Sequence, residues 1–226
     1  MTDFQRFVFS FFNVEVMRRY LPSIVDGFVL TIYLAVAVIV TGLAVGLVLA
    51  LLRTVQIRPL NWAIVFIVDL LRALPPLVII VLFYFALPYI GVRMSGFTAT
   101  WASLSLVLTA FAEEIFWAGI LAVPKGQWEA ARSTGLTFGQ TLAFVVLPHA
   151  IRLTIPPLTN RAIAITKGTA LASVVGVPEI LTQAITGESF SGNASPLTLG
   201  AAAYLTLFVP FVIAGRWVET RFTWKR

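Results

Sequence analysis

Glu129-Ala130-Ala131-Arg132-Ser133-Thr134-Gly135, with Leu147-Pro148 beginning twelve positions beyond the glycine, is the polar interruption around which this chain is built. It is a short segment of small and polar residues set between long apolar runs. Gly126 starts a helix that puts Glu129 near the positive N-terminal end. Ala130 and Ala131 give that helix a surface without bulk, which the backbone of a soluble partner can approach. Gly135 is placed to stop it in the left-handed conformation, which other residues adopt at a cost of about 1–2 kcal/mol. Thr137-Phe138-Gly139-Gln140 has the form of a capping box, so a second helix begins there. Helix, sharp stop and helix make a rigid projecting knuckle. The plainer alternative is an ordinary cytoplasmic loop holding one helical turn.

The residues around this segment belong in a bilayer. Of 226 residues 59% are hydrophobic and 12% charged, with a mean hydropathy of +0.93, more apolar surface than a soluble domain of this length can hide. The net charge of +6 does not point to nucleic acid, because the basic residues are spread between the apolar runs, as in cytoplasmic loops of membrane proteins. There is no cysteine and one histidine, which removes disulfides and thiolate metal sites and leaves almost no material for a His-based metal site or a Ser-His-Asp triad. Asp3, Arg6 and Glu15 interrupt the N-terminal stretch, so it does not read as a cleavable signal. No linker divides the chain, and residues 1–226 read as one membrane domain, with 1–22 as an N-terminal interfacial segment and 124–148 as a cytoplasmic region.

Taken in order, residues 4 to 19 carry Phe4, Phe7, Val8, Phe11 and Val14 at helical spacing, which fits a helix in the membrane interface or, alternatively, a frayed tail. Gly27 to Leu52 is uncharged and long enough to span, with Gly42, Gly46 and Ala50 forming a small-residue stripe for close helix packing. Arg53 and Arg58 mark its end as cytoplasmic. Residues 61 to 90 form an apolar run that breaks near Leu74 at Pro75-Pro76. Asp69 and Arg72 share a helical face just before the break, either lining a polar cavity or pairing at the cytoplasmic interface. A helix over about residues 97 to 122 holds Glu113 and Glu114 in its inner half. Pro148 and Pro156-Pro157 are expected to divide the chain after residue 147. A span near 150 to 170 carries Arg152, Arg161 and Lys167, too much charge for lipid contact, so it lies inside the bundle or beside a polar passage. Residues 179 to 194 hold acids but no Lys or Arg and read as an external loop. Ser195 to Gly215 is the last span, kinked at Pro210, and Arg216, Arg221, Lys225 and Arg226 place the C-terminus inside. The expectation is five spans, N-terminus out and C-terminus in, with Arg18 and Arg19 on the wrong side for that topology.

Pro124-Lys125-Gly126-Gln127-Trp128-Glu129-Ala130-Ala131, then Gly135, then Val145-Val146-Leu147-Pro148, resembles the EAA signature of binding-protein-dependent ABC importer permeases, and its form is similar to that of the polar amino acid branch (histidine, glutamine, glutamate, arginine and related permeases). Leu71-Arg72-Ala73-Leu74-Pro75 resembles that branch's Arg-Gly-Thr-Pro segment. Ala112-Glu113-Glu114-Ile115-Phe116 resembles its Ala-Glu-Ile/Val segment, and Lys167-Gly168-Thr169-Ala170-Leu171 its Lys-Asp-Thr-Ser-Leu. The likeness covers roughly residues 20 to 220.

The resemblance implies an all-α integral membrane fold of the type I importer permease (MetI-like) kind, with about five transmembrane helices and a cytoplasmic coupling helix. It implies a multi-pass protein of the bacterial cytoplasmic (inner) membrane that moves a small polar solute by alternating access. The partners it implies are two ATP-hydrolysing subunits that hold ATP-Mg, a second permease subunit (the same chain or a sister), and an extracytoplasmic solute-binding protein. No cofactor, metal or nucleic acid is expected on this chain, and it has no phosphate-cradling G-x-x-x-x-G-K-[ST] loop of its own. Carried over, Glu129, Ala130, Ala131 and Gly135 are the ATPase-coupling residues, while Arg72, Glu114, Lys167 and Thr169 are candidates for the solute pathway, with helix packing as their alternative role. Three positions depart from the branch: Trp117 where Arg is usual, Gly168 where Asp or Asn is usual, and Ala170 where Ser is usual. They lower the polarity of the pathway here, which fits a sister subunit carrying the polar contacts, or a less polar or cationic solute. Two other classes compete. A proton-coupled secondary transporter or channel would use Glu113 or Glu114; an intramembrane enzyme lacks a nucleophile and base set together.

Overall fold

The computed structural model describes residues 2–222, and among these there is no strand. Thr2 caps α1 (Asp3–Phe11) through a reciprocal box with Gln5. The helix expected over residues 4 to 19 is interrupted at Phe12–Asn13. There Asn13 accepts the N–H groups of Glu15 and Val16 at 3.1 and 3.2 Å and so opens a new helix, α2 (Val14–Arg53). A side-chain acceptor just before Val14 competes with continuation of α1, which is why one periodic pattern becomes two elements. The apolar half is α1, with no buried residue. The polar half is the first turns of a 40-residue helix.

α3 (Arg58–Ala73) stops where expected. Leu74 and Pro75 are extended (ψ 133° and 134°), because a residue before proline avoids the helical region. α4 (Pro76–Val81) comes next, then a π-helical turn at Leu82–Ala86 and a 3₁₀ turn at Leu87–Ile90, ended by Gly91 at φ +86°. α5 (Gly96–Ala122) agrees with the expected 97 to 122. After α6 (Lys125–Ser133) and α7 (Phe138–Thr141), a π-helical turn at Leu142–Val146 leads into α8 (Leu147–Lys167) and a 3₁₀ stretch, Gly168–Val175. α9 (Ile180–Ser191) and α10 (Ser195–Phe222) complete the described chain. Lys225 and Arg226, two of the four basic residues that orient the C-terminus, lie outside the described residues.

Two expectations are corrected here. Pro148, Pro156 and Pro157 do not divide the region, since Phe138–Val175 is a continuous helical stretch of 38 residues. A π turn bonds i to i+5, so the usual i−4 donor that Pro148 lacks, two positions after Leu142–Val146, is not required there. Pro88 stands in the same relation to Leu82–Ala86. Second, the stretch 179 to 194, read as a loop, holds the twelve-residue α9. Four stretches are long and apolar enough to cross a membrane: Asp3–Arg53, Gly96–Ala122, Phe138–Val175 and Ser195–Arg221. The bent pair Arg58–Ala73 and Pro76–Ile90 counts as a fifth if it is one broken span. The expected five spans are reached on that count.

The contacts fall into two compact units. One gathers the chain up to Val38 with Pro75–Leu104 and Ile165–Val212. In it the fully buried Glu179 caps α9, accepting from the N–H of Leu181 (3.0 Å), the N–H and hydroxyl of Thr182 (2.8 and 3.0 Å) and the Tyr204 hydroxyl (2.7 Å). Four donors replace the water that a buried carboxylate loses. The other unit gathers Ile39–Leu74, Ser105–Ala164 and the chain from Ile213. The small-residue stripe of α2 packs on α5 there. A Cβ on Gly42 would lie 2.7 Å from Leu108, and one on Gly46 2.7 Å from Ala112, so only glycine permits this separation. Ala50, Ala112, Phe116, Ile120, Val146 and Ala150 are buried around it and tie α2, α5 and α8 together.

Candidate functional site

The second unit carries both a projecting knuckle and a charged cluster. α6 begins at Lys125, directly after Pro124 (φ −55°), rather than at Gly126. Glu129 is therefore the fifth residue, no acid lies in the first turn, and the expected stabilisation of Glu129 by the helix dipole does not apply, since that effect fades within one turn. The helix has two sides. Ala131 is 8% exposed and Trp128 half-buried, packed toward the chain's own core, whereas Glu129, Ala130 and Gly135 are exposed. Sequence reasoning gave both alanines to a partner; the structure turns one of them inward.

The stop is as the residues demand. Gly135 sits at φ +90° and donates its N–H to the Arg132 carbonyl at 3.0 Å. The hydroxyls of Ser133 and Thr134 donate to the carbonyls of Ala130 and Ala131 at 2.8 and 2.7 Å, closing the last turn. Thr137 and Gln140 form the expected reciprocal box at the start of α7. Trp128 stacks on Phe138 with ring centroids 5.6 Å apart and an interplanar angle of 25°, locking α6 against α7. A body held at both ends and by a stack in the middle can move as one piece.

Five cationic and acidic side chains pair on α2, α3 and α5. Arg53 donates to Glu113 at 3.1 Å, where Glu113 is fully buried and Arg53 is 21% exposed. The Arg53 guanidinium also lies over Trp117, 4.6 Å from the ring centroid. Trp117, one of the departures, thus covers the apolar face of the ion pair. Arg72 bonds Glu114 at 2.6 Å and approaches Asp69 at 3.7 Å. Phe111, one helical turn before Glu114, has Arg72 5.3 Å and Arg161 3.6 Å from its ring centre. Sequence reasoning placed Arg53 only as a boundary marker and missed its link to Glu113.

Of the four pathway candidates, the structure joins Arg72 to Glu114. Lys167 and Thr169 belong to the other compact unit. Lys167 is exposed, its ammonium 5.9 Å from the Phe208 ring centre. Thr169 is fully buried and donates its hydroxyl to the Thr166 carbonyl at 2.7 Å. Gly168 is not forced by packing, because a Cβ there would meet Leu104 at an ordinary 3.6 Å. No group of three or more His, Asp or Glu suited to a metal occurs among the described residues.

Over residues 42–224 the sequence matches the family described as binding-protein-dependent transport system inner membrane component. This chain belongs to that family. It is 36% identical over 210 residues to a probable glutamine ABC transporter permease of Bacillus subtilis, covering 91% of this chain and 96% of that one. With the glutamine transport system permease of Escherichia coli it shares 30% identity, covering 85% and 90%. Among solved structures it resembles an amino acid ABC transporter with histidines, with a TM-score of 0.83 and 32% identity over 91% of this chain and 96% of the other. A subunit of the MetNI methionine ABC transporter, at 20% identity and a TM-score of 0.67, shares the fold. The chain is a multi-pass inner-membrane permease subunit of an ABC importer, and ATPase activity lies on a separate subunit. Such a permease works with an ATPase, a second permease subunit and a binding protein. The competing proton-coupled carrier finds no support: its acids, Glu113 and Glu114, are already in ion pairs with Arg53 and Arg72.

Proposed function

We propose that this permease imports a polar amino acid, and that α6 is the lever through which the motor acts. Two ATPase subunits, each holding ATP-Mg, engage two permease subunits, and an external binding protein delivers the solute. The chain acts as one permease domain over 1–226, with 1–22 at the membrane interface, 124–148 as the coupling region, the N-terminus outside and the C-terminus in the cytoplasm. The observation that carries the reading is α6 itself: a short helix stopped by Gly135 at φ +90°, seated on Ala131 and presenting Glu129 and Ala130 outward. A rigid body of that shape transmits the closure of a partner without dissipating it in loop motion, shifting the permease between inward-open and outward-open states.

An amino acid solute is supported by two of the relatives, named for glutamine, and by the solved neighbour, named as an amino acid ABC transporter with histidines. Arg72, Glu114, Lys167 and Thr169 are proposed to line or border the pathway, Thr169 through a change in its packing. The low polarity at Trp117, Gly168 and Ala170 favours a sister subunit over a second copy; transport by a purified homodimer would refute that choice. Uptake into vesicles tests the whole. An importer of this kind follows ATP and survives an uncoupler, whereas collapse of uptake with the proton gradient would overturn it. Competition by glutamine, histidine and arginine, against none by sugars, tests the solute class.

A further inference from the structure

A cavity of about 310 Å³ lies in the angle between the end of α5 and the start of α6, at the low end of the size of small-ligand sites. Trp117, Trp128 and Phe138 supply aromatic walls, and Ile120 and Val123 apolar ones. Leu121 and Phe138 on its lining are 64% and 40% exposed, an apolar rim at the level where α5 ends at Ala122. Lys125 is the one cation of the lining, and it makes no ion pair among the described residues. The remaining polar lining is neutral, from Thr54 and Gln56. Tryptophans beside a lysine at the end of a span are the combination that holds a headgroup and the first part of its chain.

We propose that this cavity binds an anionic lipid of the surrounding bilayer, its headgroup on Lys125 and its acyl chain against Trp117, Trp128 and Leu121. Charge decides the class: an unpaired ammonium beside neutral groups selects an anion over a zwitterion, whose own cation would meet Lys125. The apolar walls and the exposed rim require an apolar body attached to that anion. One wall is α5 and another is α6, so the lipid ties the projecting helix to the span behind it. This site stands independently of whether α6 engages an ATPase.

The test uses the full chain in nanodiscs of phosphatidylcholine, doped with phosphatidylglycerol or phosphatidylcholine brominated on the acyl chains, at equal mole fraction. The readout is tryptophan quenching, taking the part of the signal that Trp128→Phe removes. Brominated phosphatidylglycerol is expected to quench this part with about five-fold preference, the effect of one basic residue near an anionic headgroup. Lys125→Gln should abolish the preference and Lys125→Arg should keep it. Arg132→Gln, on the same helix but away from the lining, should leave it unchanged. Equal quenching by both lipids overturns the proposal, and so does loss of preference in Arg132→Gln equal to that in Lys125→Gln, which would mark a diffuse field rather than a site.

Discussion

Removing Arg53 is expected to be the most costly single truncation in the charged cluster. Its partner Glu113 is fully buried and receives one hydrogen bond from Arg53 at 3.1 Å, while its second oxygen has no partner. Arg53→Met therefore leaves a buried carboxylate without a cation, which costs about 3–5 kcal/mol. For a chain of this size that is roughly 6–20 °C in melting temperature. The reverse truncation, Glu113→Leu, should cost less. Arg53 is already 21% exposed and keeps the face of Trp117, so its charge retains a share of water and a π contact. The double substitution Arg53→Met with Glu113→Leu should recover most of the loss, because replacing both members of a buried pair with apolar groups is often neutral. The assay is thermal melting of the four purified proteins in one mild detergent, read as a double-mutant cycle. The reasoning is refuted if Arg53→Met melts with the parent protein, or if the double variant is no better than Arg53→Met.

Gly46→Leu should lower the melting temperature by several degrees or prevent assembly, since its Cβ would stand 2.7 Å from Ala112 and overpacking costs about 1–3 kcal/mol. Gly168→Ser, with room at 3.6 Å from Leu104, should stay within about 0.5 kcal/mol of the parent in the same melt. Glu129→Lys and Gly135→Asp should leave the chain in the membrane while removing stimulation of the ATPase by loaded binding protein; stimulation at the parental level would take the lever role from these residues. Lys167→Ala should alter uptake without altering the amount of ATPase that co-purifies, and loss of co-purification would return Lys167 to a structural role.

Most of the fold was legible because bilayer physics leaves few choices. Uncharged runs such as Gly27 to Leu52 have to be helices, and the extended backbone at Leu74 is dictated by Pro75. The stripe of Gly42 and Gly46 was readable as packing, though not its partner, α5. The features that escaped the sequence were long-range or cooperative. Asn13 splits one amphipathic pattern into two helices by a local hydrogen bond that competes with an equally good continuation. Pro148 reads as a breaker, yet a π turn two positions earlier absorbs it. At the site, the positive φ of Gly135 and the box at Thr137 were visible in residue type alone. The pairing of Arg53 with Glu113 joins residues 60 positions apart, and neither period nor motif encodes such a meeting. That Ala131 turns inward while Ala130 faces out depends on where α6 starts, and Pro124 fixed that one residue earlier than glycine reasoning placed it.

The lever role of α6 stands or falls on the partner that touches its outer face. The chain has no cysteine, so Ala130→Cys adds the sole thiol, on an exposed position of the knuckle. In inside-out vesicles holding the assembled importer, a short thiol-to-amine cross-linker at that position is expected to capture the ATP-hydrolysing subunit, with a yield that changes between ATP-bound and nucleotide-free states. No adduct with that subunit in either state, or labelling of the thiol by a membrane-impermeant reagent from outside intact cells, would contradict it.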